Sequence, residues 1–86
     1  MKMFYVYILW SKIDKKFYIG YTADLDRRLQ EHRSGNVHTT ARMNSPEILF
    51  YEAFRSEIDA RRRETYFKTT KGKKTLRLML RESILV

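Results

Sequence analysis

Apolar residues dominate the start of the chain. Phe4-Tyr5-Val6-Tyr7-Ile8-Leu9-Trp10 is an unbroken aromatic and β-branched run, which predicts a strand over residues 3–10. Both faces of that strand are apolar, as expected of a central strand covered on both sides. The charged loop Lys12 to Lys16 leads to a second short strand, Phe17-Tyr18-Ile19-Gly20-Tyr21-Thr22, where the missing Cβ of Gly20 lets backbone or ligand approach closely. With a turn centred on Asp14-Lys15, Tyr7 pairs with Thr22 and Ser11 with Tyr18. Tyr7 and Tyr18 then share one face of the hairpin.

The period changes after Thr22. Asp24 to Gly35 reads as a helix, with Leu25, Leu29 and His32 at i, i+4 and i+7 forming an inward stripe. Arg28 borders that stripe and Arg27 points to solvent. Asp24 or Thr22 caps the start, and Gly35 suits the left-handed residue just past the end. Asn36 to Pro46 shows no period and reads as a loop, and Glu47 to Phe54 as a third strand. Ser56 followed by Asp59 fits a capping pattern for a helix running to about Thr69. Within it Ala60, Glu64 and Phe67 fall within about 60° of one another on a helical wheel. Glu64 is thus a carboxylate in the middle of a face that should be buried. Gly72 breaks the pattern, and Lys73 to Leu85 forms a last helix with Leu76, Met79, Leu80 and Ile84 inward. The order ββαβαα predicts one α+β domain over residues 1–86, a three-stranded sheet, mixed or antiparallel, packed with helices.

Composition narrows the partners. Apolar residues at 43% and aromatics at 14% describe a folded globule. Eighteen Lys and Arg against ten Asp and Glu leave a formal charge of +8, which favours a polyanion, nucleic acid before an acidic membrane surface. No cysteine is present, so disulfides and thiolate metal sites are excluded, and two histidines do not make a zinc cluster. The N-terminal apolar run is too short to span a membrane and lacks a signal-cleavage pattern, so a cytoplasmic, nucleoid-associated setting is expected.

Individually the polar residues of interest have ordinary explanations. Strand tyrosines pack, Arg28 is a surface cation, and His32 at the edge of an apolar stripe is structural. Glu64 is harder to dismiss, because a carboxylate on an apolar face is costly unless it is paired or binds metal. Together these residues match metal-assisted phosphodiester hydrolysis. One carboxylate suffices for Mg²⁺, which keeps several waters. Arginine offers planar donors to a phosphate whose charge grows in the transition state. With carboxylates scarce at the site, tyrosine or histidine must take the proton of the attacking water. A phenol with a reference pKa near ~10 must fall by about three pH units to do so, roughly 4 kcal/mol, and Arg28 and a bound Mg²⁺ act in that direction.

These residues resemble the GIY-YIG nucleases, in particular the small stand-alone members related to the excinuclease nuclease domain. The first signature tripeptide is Tyr5-Val6-Tyr7, with Tyr5 where glycine is usual, and the second is Tyr18-Ile19-Gly20. Arg28 matches the family arginine, His32 the position one turn later, and Glu64 in Ala60-Arg61-Arg62-Arg63-Glu64 the metal-binding glutamate. The basic stretch Lys68 to Lys74 resembles the Lys-rich segment that follows it. The resemblance covers nearly the whole chain and leaves no accessory DNA-binding domain within it.

The resemblance implies a one-metal mechanism. Glu64 holds Mg²⁺, or Mn²⁺ in its place, Arg28 stabilises the phosphorane-like charge, Tyr7 activates water with help from His32, and Tyr18 orients water or phosphate. The loop through His38, Thr39, Thr40 and Arg42 closes over the site. Gly20, Thr39, Arg42, Lys71, Lys73, Lys74 and Arg77 contact the nucleic acid, DNA first and RNA second, with an accessory protein as a further partner. The implied role is structure-specific cleavage linked to DNA repair or recombination. A non-catalytic nucleic-acid-binding or adaptor module with this fold explains the charge and the aromatics equally well, but gives no reason for an inward Glu64. A scaffold that only homodimerises through its sheet leaves the charge unexplained.

Overall fold

In the computed structural model, which describes residues 1–86, the first apolar run becomes β1 (Phe4–Ser11). It lies between β2 (Lys16–Thr22) and β3 (Glu47–Phe54) in a wholly antiparallel three-stranded sheet of order β2-β1-β3. The central position accounts for the two apolar faces, and every residue from Val6 to Ser11 is buried.

The β1–β2 register differs from the expected one by two residues. Tyr7 pairs with Gly20, Leu9 with Tyr18 and Ser11 with Lys16. The turn is tighter because Lys15 takes a left-handed conformation, φ 54°, and its N–H donates to Ser11 O at 2.8 Å. A slip of two preserves the alternation of faces, so Tyr7 and Tyr18 still share one side.

Helix α1 (Leu25–Arg33) uses both expected caps in series: Thr22 Oγ1 accepts from Asp24 N at 3.0 Å, and Asp24 Oδ1 accepts from Arg27 N at 3.2 Å. Gly35 ends it at φ 77°. Residues 36–46 are not the plain loop expected from their lack of period. They contain a one-turn helix, α2 (His38–Ala41), anchored by the buried side chains of Val37 and Thr40.

Ser56 caps α3 (Glu57–Lys68) by accepting from Asp59 N at 3.4 Å. The break before α4 (Thr70–Met79) falls at Thr69, whose extended backbone (ψ 161°) ends one helix while its hydroxyl accepts from Gly72 N at 3.0 Å to cap the next. Gly72 is therefore no helix breaker. It sits in the first turn of α4, where a Cβ would overlap the Tyr66 carbonyl oxygen, and so lets α4 fold closely back on α3. A 3₁₀ turn at Ser83–Leu85 follows. Met79, expected inward, is 43% exposed, while Leu76 and Leu80 supply the buried contacts of that helix.

The two sides of the sheet carry different helices. Val6, Ile8 and Ile19 pack against Ala60 and Phe67 of α3 and against Leu76 and Leu80 in one core. The opposite side, on which Tyr7 lies, is covered by α1. No helix is long and apolar enough to cross a membrane.

Candidate active site

Tyr7 is fully buried on the α1 side of β1, directly across from Gly20. Its ring lies over that glycine, where a Cβ would overlap Tyr7 Cζ and Oη. Gly20 was expected to admit nucleic acid, but it is itself buried, and the group that fills its open space is the Tyr7 ring.

The strand and α1 together fix the Tyr7 hydroxyl. It lies 2.7 Å from His32 Nε2 and accepts from Arg28 Nε at 3.3 Å. Arg28 and His32 are four residues apart on α1, so both reach the same oxygen from successive turns. The Tyr18 ring completes the cluster at 6.2 Å from the Tyr7 ring and 5.0 Å from His32, centroid to centroid. Tyr7, Tyr18, Arg28 and His32 are thus brought together, while Arg27 has a side chain 76% exposed.

Two further residues belong to the cluster. Glu31 Oε1 accepts from Arg28 Nη1 at 2.9 Å, and this hydrogen bond holds the Glu31 carboxyl below the usual carboxylate range. Glu31 is thus a carboxylate within the cluster itself. The i, i+3 spacing from Arg28 to Glu31 was a signal available in the sequence. The second is Thr40, whose buried hydroxyl lies 2.6 Å from His32 Nδ1. Thr40 lies in the aperiodic segment, where no pattern marks it.

Burial decides the proton affinities. It pushes the Tyr7 phenol up to about 12, against the Arg28 hydrogen bond that pulls it down. Arg28 acts in the expected downward direction, and desolvation outweighs that single cation. A free phenolate at pH 7 would cost on the order of 7 kcal/mol. Burial, aided by the Arg28 charge and opposed by Glu31, also holds the His32 imidazole below its ordinary value. A neutral imidazole is an available proton acceptor.

Glu64 lies in the other layer, on α3. Its side chain is 19% exposed and pairs with Lys68 Nζ at 3.0 Å. Arg61, Glu64 and Lys68 share one stripe of α3. Arg61 stacks 4.1 Å over the Tyr21 ring of β2, so the stripe faces the β2 edge of the sheet. The Tyr7 ring reaches toward that same edge from the opposite side. No three His, Asp or Glu residues converge as a ready-made metal cage. A lone carboxylate at a sheet edge nonetheless fits Mg²⁺, which takes few protein ligands and retains its waters.

The remaining expected nucleic-acid contacts are exposed and fall on two elements. Thr39 and Arg42 lie on and just after α2, beside His32. Lys71, Lys73, Lys74 and Arg77 lie along α4, with Arg77 stacked 5.1 Å over the Phe17 ring.

Residues 3–77 match the family described as the GIY-YIG catalytic domain. A UPF0213 protein of Pediococcus acidilactici is 34% identical over 86 residues, spanning 96% of this chain and 87% of its own. A UPF0213 protein of Streptococcus pyogenes serotype M3 is 39% identical over 71 residues, spanning 81% and 76%. The solution NMR structure of a UPF0213 protein from Bacillus halodurans is similar at a TM-score of 0.57 and 35% identity, covering 90% of this chain and 84% of that one.

Proposed function

The chain belongs to the GIY-YIG catalytic-domain family, and from that premise we propose that it is a divalent-metal-dependent endonuclease hydrolysing phosphodiester bonds in DNA. The observation that carries this reading is the buried Tyr7 hydroxyl held between His32 Nε2 at 2.7 Å and Arg28 Nε at 3.3 Å. A phenol buried only for packing needs one acceptor for its hydrogen; a cation at the same oxygen goes beyond that need.

The geometry supports the following roles. Tyr7 Oη accepts a proton from the attacking water while its own passes to His32, so no free phenolate has to form in advance. Tyr18, against the His32 ring, orients the water or the phosphate. Arg28 keeps Nε on Tyr7 and exchanges Glu31 for phosphate oxygens at Nη1, where charge grows in the transition state. Glu64 would hold Mg²⁺ or Mn²⁺, which when bound offsets negative charge on the scissile phosphate. The lysines of α4 grip backbone phosphates without reading sequence, and Thr39 and Arg42 border the strand on the α1 side. The substrate is a branched or otherwise structured DNA of repair or recombination, met in the cytoplasm at the nucleoid, with targeting supplied by an accessory protein.

Nicking of supercoiled plasmid by the purified protein tests the reading, with Glu64→Gln as the decisive variant. Nicking with Mg²⁺ is expected from the wild type, and both metal affinity and nicking should collapse in the variant. Its melting temperature should hold, since a surface i, i+4 pair with Lys68 contributes only about 0.3–0.5 kcal/mol. A variant that melts lower yet cuts at the wild-type rate would make Glu64 a structural partner of Lys68 and nothing more. DNA binding without nicking at any divalent metal would favour the adaptor reading.

A further inference from the structure

The hydrogen-bond chain that reaches Tyr7 begins on α2, and its direction can be worked out from the protons available. Thr40 Oγ1 has one hydrogen and two neighbours, Val37 O at 3.3 Å and His32 Nδ1 at 2.6 Å. If the hydroxyl donates to Val37 O, its lone pairs accept Nδ1–H, Nε2 is bare, and the Tyr7 O–H donates to Nε2 at 2.7 Å. The Tyr7 oxygen then accepts from Arg28 Nε at 3.3 Å, and every hydrogen has an acceptor. In the reverse arrangement Thr40 donates to Nδ1 and Nε2–H points at Tyr7. The phenolic hydrogen of a fully buried side chain then meets donors at both of these contacts and is left with the neighbouring Tyr18 hydroxyl as its acceptor. Giving up the 2.7 Å bond to a bare ring nitrogen for that weaker contact is costly, so the first arrangement is the stable one.

We infer that Thr40 is a positioning residue: its hydroxyl holds His32 in the Nδ1–H tautomer, so that bare Nε2 faces the Tyr7 hydroxyl and receives its proton. The one-turn helix α2, in the middle of an aperiodic segment, carries this hydroxyl to the ring. The use of the relay rests on the endonuclease reading, whereas the tautomer rests on the hydrogen-bond geometry alone. During cleavage one proton leaves the attacking water for Tyr7 Oη, and the phenol's original proton moves to His32 Nε2. The water oxygen forms the new bond to phosphorus, and the bond to the departing oxygen breaks, that oxygen taking its proton from solvent. The imidazolium keeps its Nδ1–H on Thr40 and returns the Nε2 proton to Tyr7 as the phenol releases one to bulk water.

The test is long-range ¹H–¹⁵N NMR correlation of the His32 ring at a pH where it is neutral, paired with plasmid nicking. The wild type should show the Nδ1–H form. Thr40→Val, nearly isosteric but without the hydroxyl, should lose that preference, and its nicking should fall about 10–100-fold, less than the ~10²–10⁴-fold that a positioned acid–base group contributes as a whole. Thr40→Ser should keep the tautomer and recover most of the activity, which a merely space-filling role would not require. Should the valine variant fail to fold, Thr40→Ala takes its place. An Nε2–H tautomer in the wild type overturns the inference, and so does an unchanged Nδ1–H tautomer in the valine variant. If the wild type does not nick at all, the endonuclease reading falls, and the two spectra still decide whether Thr40 sets the tautomer.

Discussion

β1 sends Val6 and Ile8 into one layer and Tyr7 into the other, and the two clusters they join are held by different forces. On the α3–α4 side, Val6, Ile8, Ile19, Ala60, Phe67, Leu76 and Leu80 form a cluster held by non-directional burial. On the α1 side, the buried polar groups of Tyr7, His32 and Thr40 are held by directed bonds of 2.6 to 2.7 Å. Tyr7 and Phe67 are equally buried, yet they answer to different physics. Phe67 needs only to be surrounded. Tyr7 needs each proton matched, and each such bond adds only about 0.5–1.5 kcal/mol net. Removing an apolar side chain from the first cluster should therefore change stability, and removing a hydrogen-bonded polar group from the second should change chemistry.

The largest effect expected from that division is on stability. Phe67→Ala should cost about 3–5 kcal/mol, a large share of the ~5–15 kcal/mol typical of a domain, read from denaturant midpoints. Nicking per folded molecule should be little changed. If it falls in step with stability, the layers are coupled and the division is wrong. Next comes Arg28→Ala, expected to lower nicking by about 10²–10³, some 2.7–4 kcal/mol of transition-state stabilisation. DNA affinity should stay within a few-fold, because many other cations hold the backbone. Arg27→Ala, on the outer side of α1, is the control. An essential Arg27 beside a dispensable Arg28 would reverse the assignment of faces.

The smallest effect is the pH dependence of stability. His32 is faced by Tyr7 and Tyr18 from the sheet, by Arg28 and Glu31 from α1, and by Arg33 and Glu47 around the neighbouring cavity. Its folded-state pKa lies below the unfolded value, so the fold favours the neutral ring. The corresponding stability is fully present above about pH 6.5 and is lost as pH falls through the folded pKa. Melting curves from pH 8 down to 5 should show this loss, and His32→Gln should flatten it. An identical profile in that variant would mean that other groups control the acid limb.

Much of this division could be read in the chain before its structure, and the exceptions have physical causes. The caps of α1 and the whole of β3 are local features, set by neighbours in sequence. The shared face of Tyr7 and Tyr18 follows from strand alternation and withstands an error of two residues in register. That error arises at Lys15, a left-handed residue of a type that rarely advertises such a turn. Helix α2 is a single turn, too short to show the i, i+3, i+4, i+7 repeat by which helices are recognised, and Thr40 is buried by a contact with His32 that no local pattern announces. Gly72 reads as a breaker because local propensity says nothing of a helix folded back against its neighbour. The cation beside Tyr7 is legible, but the depth of burial that overrules it is not.

Position 20 carries a consequence for mutational tolerance. Every other amino acid would bring a Cβ into the volume that the Tyr7 ring occupies. A saturation scan scored by activity should therefore rank Gly20 beside Arg28 among the least replaceable positions, although glycine contributes no reacting group. Its intolerance would record the shape of a neighbour across the strand, and the pattern of permitted residues along β2 would trace the outline of a buried phenol.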